Sequence, residues 1–318
     1  MNVLVTGGAG FIGSNLCRTL LANPSVDRVR VIDDLSSGRA ENLDGLDVEL
    51  VQASILDEPA LTAALDGIDS VVHLAARPSV PRSIENPVLT HQININGTMN
   101  VLEAIRAKGD CSIVFASSSS VYGANTQLPK RIDQPTRPVS PYAVSKLAGE
   151  SYVLSYQRCF SIPALAVRFF NVYGPSQDNA AAYSPVIPAF IVAALKGEGL
   201  PVHGDGEQSR DFTFVGSVAE TLASAVVDGI FLDEPLNLAF GVRYSLLDVI
   251  GVIGETLDRP LSIDHLPERA GDVRHSQADP IQMQQHFPHV QPVELHDGLR
   301  RTIEWWQQQR PDLAGALD

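Results

Sequence analysis

Lysine is nearly absent from this chain: Lys108, Lys130, Lys146 and Lys196 are the only four in 318 residues. Bases are scarce as a whole, with 23 Lys and Arg against 37 Asp and Glu and a formal charge of −14. Such a surface repels a phosphate backbone, which excludes general nucleic-acid binding. A phosphorylated ligand has to be met locally, by helix dipoles and a few placed arginines. Cysteine is scarce too. Cys17, Cys111 and Cys159 are odd in number, widely spaced and form no CxxC, so a disulfide framework is excluded and a reduced cytosolic chain is expected. No apolar run approaches the ~20 residues of a membrane span. The opening MNVLVTGGAGFIG has no basic n-region and is broken at once by glycine, so it does not read as a signal peptide. The expectation is a soluble cytoplasmic protein with neither membrane nor nucleic acid as partner. The 44% hydrophobic content against 19% charged excludes disorder, and the length suggests roughly two domains.

The first half alternates short apolar runs with amphipathic stretches. The runs are Val3–Val5, Val29–Ile32, Val48–Gln52, Ser70–Leu74, Ser112–Ala116 and Ala164–Phe169. The helical patterns between them are Phe11–Ala22, Glu58–Leu65, Val88–Lys108 and Pro141–Cys159. Strands alternating with helices imply βαβ units and a parallel sheet covered on both faces. The expected fold is therefore α/β, a doubly wound, Rossmann-type parallel sheet. After Asn171 the rhythm changes and prolines crowd in at Pro175, Pro185, Pro188 and Pro201. This sets an expected boundary: residues 1–171 as the dinucleotide-binding domain, with later segments returning to it, and 172–318 as a smaller α/β substrate domain. A last helix is expected over about Pro292–Gln309, with Trp305 and Trp306 as packing residues.

Two constellations carry chemistry. Val3 to Gly13 reads as a strand, a glycine turn at Gly7, Gly10 and Gly13, and a helix start. Such glycines let backbone N–H groups approach a pyrophosphate, whose charge the helix N-terminus stabilises. Asp33, 20 residues past Gly13, closes the next strand and suits a ribose 2′-hydroxyl, which favours NAD over NADP. The second constellation is Tyr142 and Lys146, which share a helix face at i and i+4. An ammonium there favours tyrosinate and lowers the tyrosine pKa. Upstream, the strand-end run FASSSSVYG (115–123) offers hydroxyls where ligands bind in such sheets. His286 and His289 have metal-like spacing but no third ligand, and no metal is expected.

These residues resemble the extended short-chain dehydrogenase/reductase family. The resemblance continues through DDLSSGRAENL (33–43), HLAA (73–76), NINGT (94–98), PYAVSK (141–146), RFFNVYGP (168–175), GDGEQSRDF (204–212) and RAGDVRHS (269–276). Within the family the chain is most similar to the nucleotide-sugar 4-epimerases, and SVPRSIENP (79–87) and residues 171–188 resemble their N-acetylhexosamine branch. This implies an NAD-dependent isomerase acting at C4 of a UDP-hexose, acetylated or plain, through a 4-keto sugar. Tyr142 is the implied acid–base, Lys146 its ribose-binding partner and Ser118 the catalytic hydroxyl. Implied cofactor contacts come from Gly7, Gly10, Phe11, Ile12, Gly13, Asp33, Ser54, Ile55, Leu74, Ala75, Ala76, Asn94, Ser117, Tyr142 and Lys146. Implied substrate contacts come from Ser79, Ser118, Asn171, Val186, His203, Arg210, Phe212, Arg269, Asp272 and Ser276.

Departures from the family pattern bear on the reading. Ser54 stands where an Asp usually faces adenine, and Gly216-Ser217 replace an acidic pair. Ser119 and Ser120 stand where related 4,6-dehydratases carry their acid–base carboxylates, which argues against dehydration. A UDP-glucuronate 4-epimerase ranks lower, because such relatives tend to carry Thr at Asn171. A non-catalytic NAD sensor would keep the glycines and Asp33 without needing Tyr142, Lys146 and Ser118. In the family the helices at 88–108 and 141–159 pair across a two-fold axis, so a homodimer is expected.

Overall fold

Val3, Leu4 and Val5 are fully inaccessible, as are Val71 and Val72 and Ile113 and Val114. Strands apolar on both sides cannot face water, and they form the centre of a sheet. The computed structural model describes residues 1–177, 185–268 and 273–310. In chain order the first half holds β1 (Asn2–Thr6), α1 (Phe11–Leu21), β2 (Arg28–Asp33), β3 (Val48–Gln52), α2 (Glu58–Ala64), β4 (Ser70–His73), α3 (Val80–Glu85), α4 (Pro87–His91), α5 (Gly97–Lys108), β5 (Ser112–Ser118), α6 (Pro141–Phe160) and β6 (Ala164–Phe169). The second half holds β7 (Asn171–Tyr173), α7 (Val186–Lys196), β8 (Leu200–His203), β9 (Ser209–Arg210), β10 (Phe212–Phe214), α8 (Val215–Val227), β11 (Leu236–Leu238), β12 (Tyr244–Ser245), α9 (Leu246–Thr256), β13 (Ile263–Leu266), α10 (Ile281–His286) and α11 (Leu295–Gln309).

Seven parallel strands form the main sheet in the order β11-β6-β5-β4-β1-β2-β3. The chain runs outward from β1 through β3, then returns across β1 to β4. That reversal opens a crevice beyond the carboxyl ends of β1 and β4, where ligands bind in such sheets. One face is covered by α2, α5 and α6 and the other by α1, α8 and α10. β11 joins the sheet beside β6, and α8 packs on α1, so residues 215–238 return to the first layer. A second core, built on Phe190, Leu200, Val249, Leu299 and Trp306, gathers α7, α9, α11 and the short strands β7, β8 and β10. Trp306 is buried there with Trp305 edge-on to it at 5.3 Å, so both pack as expected.

Two helices differ from the pattern read above. The last begins at Leu295. The stretch 88–108 is not one helix: α4 ends at His91, a π-helical segment spans Gln92–Asn96, and α5 follows. The wider turn swings Asn94 inward. Its carbonyl accepts from Thr98 Oγ1 at 2.7 Å, which commits the Thr98 proton. Thr98 therefore accepts at 3.0 Å from His73 Nε2–H, leaving His73 Nδ1 to accept from Thr6 Oγ1 at 2.7 Å. Thr6 Oγ1 in turn accepts from the Ala75 amide at 3.1 Å. The result is a one-way chain of hydrogen bonds through the core, with a neutral histidine at its centre.

Burial, reinforced by the charge on Lys146, pushes the His73 pKa from 6.5 down to about 3. Below its ordinary pKa the unfolded chain takes up a proton that the folded chain refuses. This contribution to stability is therefore present above pH 6.5 and lost as pH falls toward 3, at about 1.4 kcal/mol per unit. His73→Gln keeps one donor and one acceptor and removes the titration. Urea unfolding at about pH 7.5 and about pH 5.5 is expected to show the parent losing roughly 1 kcal/mol more than the variant.

Candidate active site

A cleft of about 670 Å³ opens at the crevice between β1 and β4. Its floor is the glycine turn. Gly7 has φ +72°, and a Cβ there would stand 2.8 Å from the Ala75 amide nitrogen, so only glycine lets the ends of β1 and β4 close together. A Cβ at Gly13 would overlap the Gly7 carbonyl oxygen and the Gly8 Cα. No side chain caps α1 at Gly10, which leaves the first-turn amides to an anion. Phe11 and Ile12 line the same wall. Asp33 is buried at the end of β2. Its Oδ2 accepts from the Ala9 amide at 3.0 Å and its Oδ1 from Leu35 at 2.9 Å. Burial raises its pKa, against those two backbone bonds. Ser54 and Ile55 line the same end, and Ser54 Oγ accepts from the Leu56 amide at 3.2 Å.

The other end holds Ser117, Ser118, Tyr142 and Lys146, facing Leu74, Ala75 and Ala76 across the cleft. Ser140 caps α6, its Oγ accepting from the Ala143 amide at 3.1 Å, and this sets Tyr142 in the first turn. Lys146 is buried and donates to the Ala116 carbonyl at 2.8 Å, with Nζ 5.3 Å from the centre of the Phe115 ring. Burial pushes its pKa down to about 8. The Tyr142 hydroxyl differs from the expectation of a lowered pKa: burial raises it, and the hydrogen bond with Ser118 only partly offsets this.

Asn94 and Ser79 do not line the cleft. The Asn94 amide accepts from the Arg77 N–H at 2.7 Å and donates to the Arg77 carbonyl at 3.2 Å and to Ser145 Oγ at 2.9 Å. Ser79, with φ +91°, caps α3 through the Arg82 amide. The other expected substrate residues that the structure describes are not among the lining of this cleft. Asn171 pairs with Phe212 between β7 and β10. Arg210 Nη1 donates to the Ser209 and Arg274 carbonyls at 3.0 and 3.2 Å. The Ser276 amide donates to the Ser209 carbonyl at 3.0 Å, which brings Ser276 beside Arg210. His275 Nδ1 meets Ser209 Oγ at 2.8 Å. Val186 opens α7, and His203, at the end of β8, has Nδ1 2.8 Å from the Pro267 carbonyl. Arg269 and Asp272 lie outside the described residues. His289 Nε2 meets Ser224 Oγ at 2.9 Å, and Ser217 Oγ donates to the Gln291 carbonyl at 3.1 Å, tying α8 to the segment before α11.

Reading the sequence missed several cleft residues. Arg77 directly follows HLAA, Arg82 lies in SVPRSIENP, and Gln177 ends NVYGPSQ. Gln177 is buried; its Nε2 donates to the Val172 carbonyl at 3.1 Å and its Oε1 has no partner among the described residues. A dinucleotide fits this cleft. A glycine turn that any Cβ would fill and an uncapped helix start suit its diphosphate, a buried carboxylate suits a ribose, and the Tyr142–Lys146 pair stands at the far end.

A family model described as "NAD dependent epimerase/dehydratase family" matches residues 3–230. The chain is 35% identical over 316 residues to a UDP-glucose 4-epimerase of Mycolicibacterium smegmatis, covering 96% of this chain and 99% of that one. Among solved structures it resembles a UDP-N-acetylglucosamine 4-epimerase from Methanobrevibacter ruminantium in complex with UDP-N-acetylmuramic acid. There the TM-score is 0.90 and the identity 35%, over 97% of this chain and 98% of that one. It also resembles a UDP-glucose 4-epimerase from Thermus thermophilus in complex with NAD, with TM-score 0.86, 33% identity and coverage of 96% and 99%.

The glycine turn yields a direct test. Overpacking a tight contact costs about 1–3 kcal/mol, and at Gly13 the obstacle is backbone, which cannot yield. Gly13→Ala is expected to lower the thermal midpoint and to weaken NAD binding in calorimetry. Unchanged values for both would mean that the turn is not the cradle.

Proposed function

The chain belongs to the NAD dependent epimerase/dehydratase family, and on that premise we propose that it interconverts C4 epimers of a UDP-hexose through a 4-keto sugar. The N-acetylated pair UDP-GlcNAc/UDP-GalNAc is the proposed substrate, with UDP-glucose/UDP-galactose as an additional pair. One observation carries this reading. The reacting end of the cleft has a hydroxyl, a phenol and an ammonium in Ser118, Tyr142 and Lys146, and no carboxylate among the described residues. The acidic residues lining the cleft, Asp33 and Asp34, belong to the opposite end. Dehydration needs a general acid and base to expel a C6 hydroxyl, and Ser119 and Ser120 supply neither. Epimerisation needs only one proton removed from the 4-hydroxyl and later returned.

Bound NAD supplies the hydride acceptor and a positive ring that adds to the field of Lys146. Tyr142, as tyrosinate, takes the proton from the sugar 4-hydroxyl and gives it back after the sugar has turned over. Ser118 bonds the same oxygen and holds it in line. Lys146 brings the positive charge that favours tyrosinate against burial. Arg210 suits the UDP diphosphate as a planar bidentate donor, and Phe212 suits uracil. Ser276 leaves room for a 2-acetamido group that a tyrosine would exclude. The engagement of the neighbouring His275 ring with Ser209 supports Ser276 as the position facing the sugar. A cytoplasmic location rests on three free cysteines, two of them buried, with burial raising Cys17 and Cys111 to about 12.

The homodimer reading rests on an apolar face formed where α3 and α4 pack on α6. Ile84, Val88 and Val139 are 64%, 66% and 68% exposed, and Val144 and Tyr152 extend the face along α6. Exposed apolar side chains on packed neighbouring elements suit a contact, and a second copy of the same helices fits an isologous one. Light scattering at micromolar concentration is expected to give twice the chain mass. Val144→Glu is expected to halve it, and a monomeric parent would remove the reading.

Incubation with UDP-GlcNAc, UDP-glucose and UDP-glucuronate separately, with C4 epimers read by NMR, tests the substrate. Tyr142→Phe is expected to lower kcat by about 10²–10⁴-fold while NAD binding persists. Ser118→Ala, which loses one hydrogen bond worth about 1–3 kcal/mol, is expected to be partial. Ser276→Tyr is expected to suppress the acetylated pair and spare the plain pair. Near-parental activity in Tyr142→Phe would overturn the mechanism.

A further inference from the structure

Three basic side chains line the cleft: Arg77, Arg82 and Lys146. Lys146 donates to the Ala116 carbonyl. Arg82, on α3, also makes no side-chain hydrogen bond or ion pair among the described residues, but none of its nitrogens is buried without a partner. Arg77 is different. Its Nε is buried without a partner, and its guanidinium makes no hydrogen bond or ion pair among the described residues. A desolvated donor without an acceptor is costly, so its placement calls for one.

Both backbone polar groups of Arg77 are held. The Asn94 amide grips both its N–H and its carbonyl, at 2.7 and 3.2 Å. Two residues earlier Ala75 lies against Gly7, within 2.8 Å of where a Cβ would be. Arg77 follows this contact by two residues and lines the same cleft. The turn and the start of α1 offer amide dipoles but no full positive charge. The carboxylates of the cleft, Asp33 and Asp34, stand on the same side, in a chain of net charge −14. A dianion there needs a cation, and a guanidinium offers paired N–H donors to phosphate oxygens.

We propose that Arg77 is the counter-charge that holds the diphosphate of NAD, and that Asn94 is its positioning residue. The inference rests on NAD as cofactor and not on the identity of the sugar. It also gives Asn94 a role that fits its place outside the cleft: it acts on the cofactor through Arg77.

The test is titration of NAD-depleted protein with NAD and, by competition, with adenosine, which has no diphosphate. Arg77→Gln is expected to weaken NAD roughly 10- to 100-fold, as loss of a charged hydrogen-bond pair does. It is also expected to flatten the salt dependence of NAD binding and to leave adenosine unchanged. Arg77→Lys retains the charge and is expected to recover part of the affinity. Asn94→Ala is expected to weaken NAD in the parent but hardly further in Arg77→Gln, because the two act as one unit. Three outcomes would overturn the proposal: unchanged NAD affinity in Arg77→Gln, an equal loss for adenosine, or a raised UDP-sugar KM with NAD binding intact. Absence of epimerase activity leaves this titration untouched, so failure of the substrate reading stays distinguishable.

Discussion

The chemistry of this cleft depends on α6 being pinned to the end of β5 at two successive residues. Lys146 donates to the Ala116 carbonyl at 2.8 Å, and one turn later Glu150 accepts from Ser117 Oγ at 2.6 Å. Residues four apart share a helix face, and they meet neighbouring positions on the strand. Ser118 is the next residue on β5 and Tyr142 precedes Lys146 by one turn, so this pinning sets how serine and tyrosine face each other. The fixing charge is supplied from β6. Arg168 donates to Glu150 through Nε at 2.9 Å and Nη2 at 2.6 Å, and to the Tyr122 hydroxyl at 2.8 Å. Both partners of the pair are 4% exposed. Removing one member of such a pair leaves a buried charge alone, at about 3–5 kcal/mol. The reacting geometry thus rests on an ion pair that takes no part in the reaction.

A second frame does the same for the cofactor side. The chain from the Ala75 amide through Thr6, His73 and Thr98 ends on the Asn94 carbonyl in the π-helical segment. The Asn94 side chain then forks to Arg77 and to Ser145, whose Oγ donates to the Tyr142 carbonyl at 2.8 Å. Every donor in this chain is spent on a particular acceptor, so no member can rotate without leaving a buried group unpaired. The wall beside the glycine turn and the first turn of α6 are therefore tied to each other. This explains a neutral histidine in the core: an imidazolium would reverse one donor–acceptor pair and break the sequence.

How much of this was legible follows from where each signal lies along the chain. Strands such as Val3–Val5 and Ile113–Phe115 are apolar on both sides because both faces of the sheet are covered, and that leaves a run readable without structure. The glycine turn and the Tyr142–Lys146 spacing are local patterns tied to local geometry. The break at Gln92–Asn96 was not legible, since a π turn adds one residue per turn without changing composition, and the apolar rhythm resumes in α5. Asn94 was legible as a polar residue of interest, but not its grip on Arg77, 17 residues away across a turn. β11 has only three residues, too few to show a period, so its return to the sheet beside β6 is a tertiary fact.

The two ends of the proposed substrate site differ in stiffness, and the reaction requires that difference. The segment carrying Arg210 and Phe212 is locked by the buried Asp211 between them. Its Oδ2 accepts from the Gly241 and Ala278 amides at 3.0 and 3.1 Å, and burial pushes its pKa up to about 6. A nucleotide held there has a fixed attachment. At the reacting end, among the described residues, the cleft is lined by Leu89, Ile93, Phe169, Phe170 and Val172, with polar groups from Ser117, Ser118, Tyr142, Lys146 and the Gln177 oxygen. Apolar walls give a sugar little directional hold, since each hydroxyl left unbonded favours no single pose. A 4-keto sugar would have to turn its opposite face toward the hydride it gave up without leaving the protein. A wall that bonded every hydroxyl would hold one epimer and slow the turn, whereas a firm nucleotide site with a weakly bonding sugar site lets the ring swing about its diphosphate. On this reading the apolar wall at the reacting end is as much part of the catalyst as Tyr142.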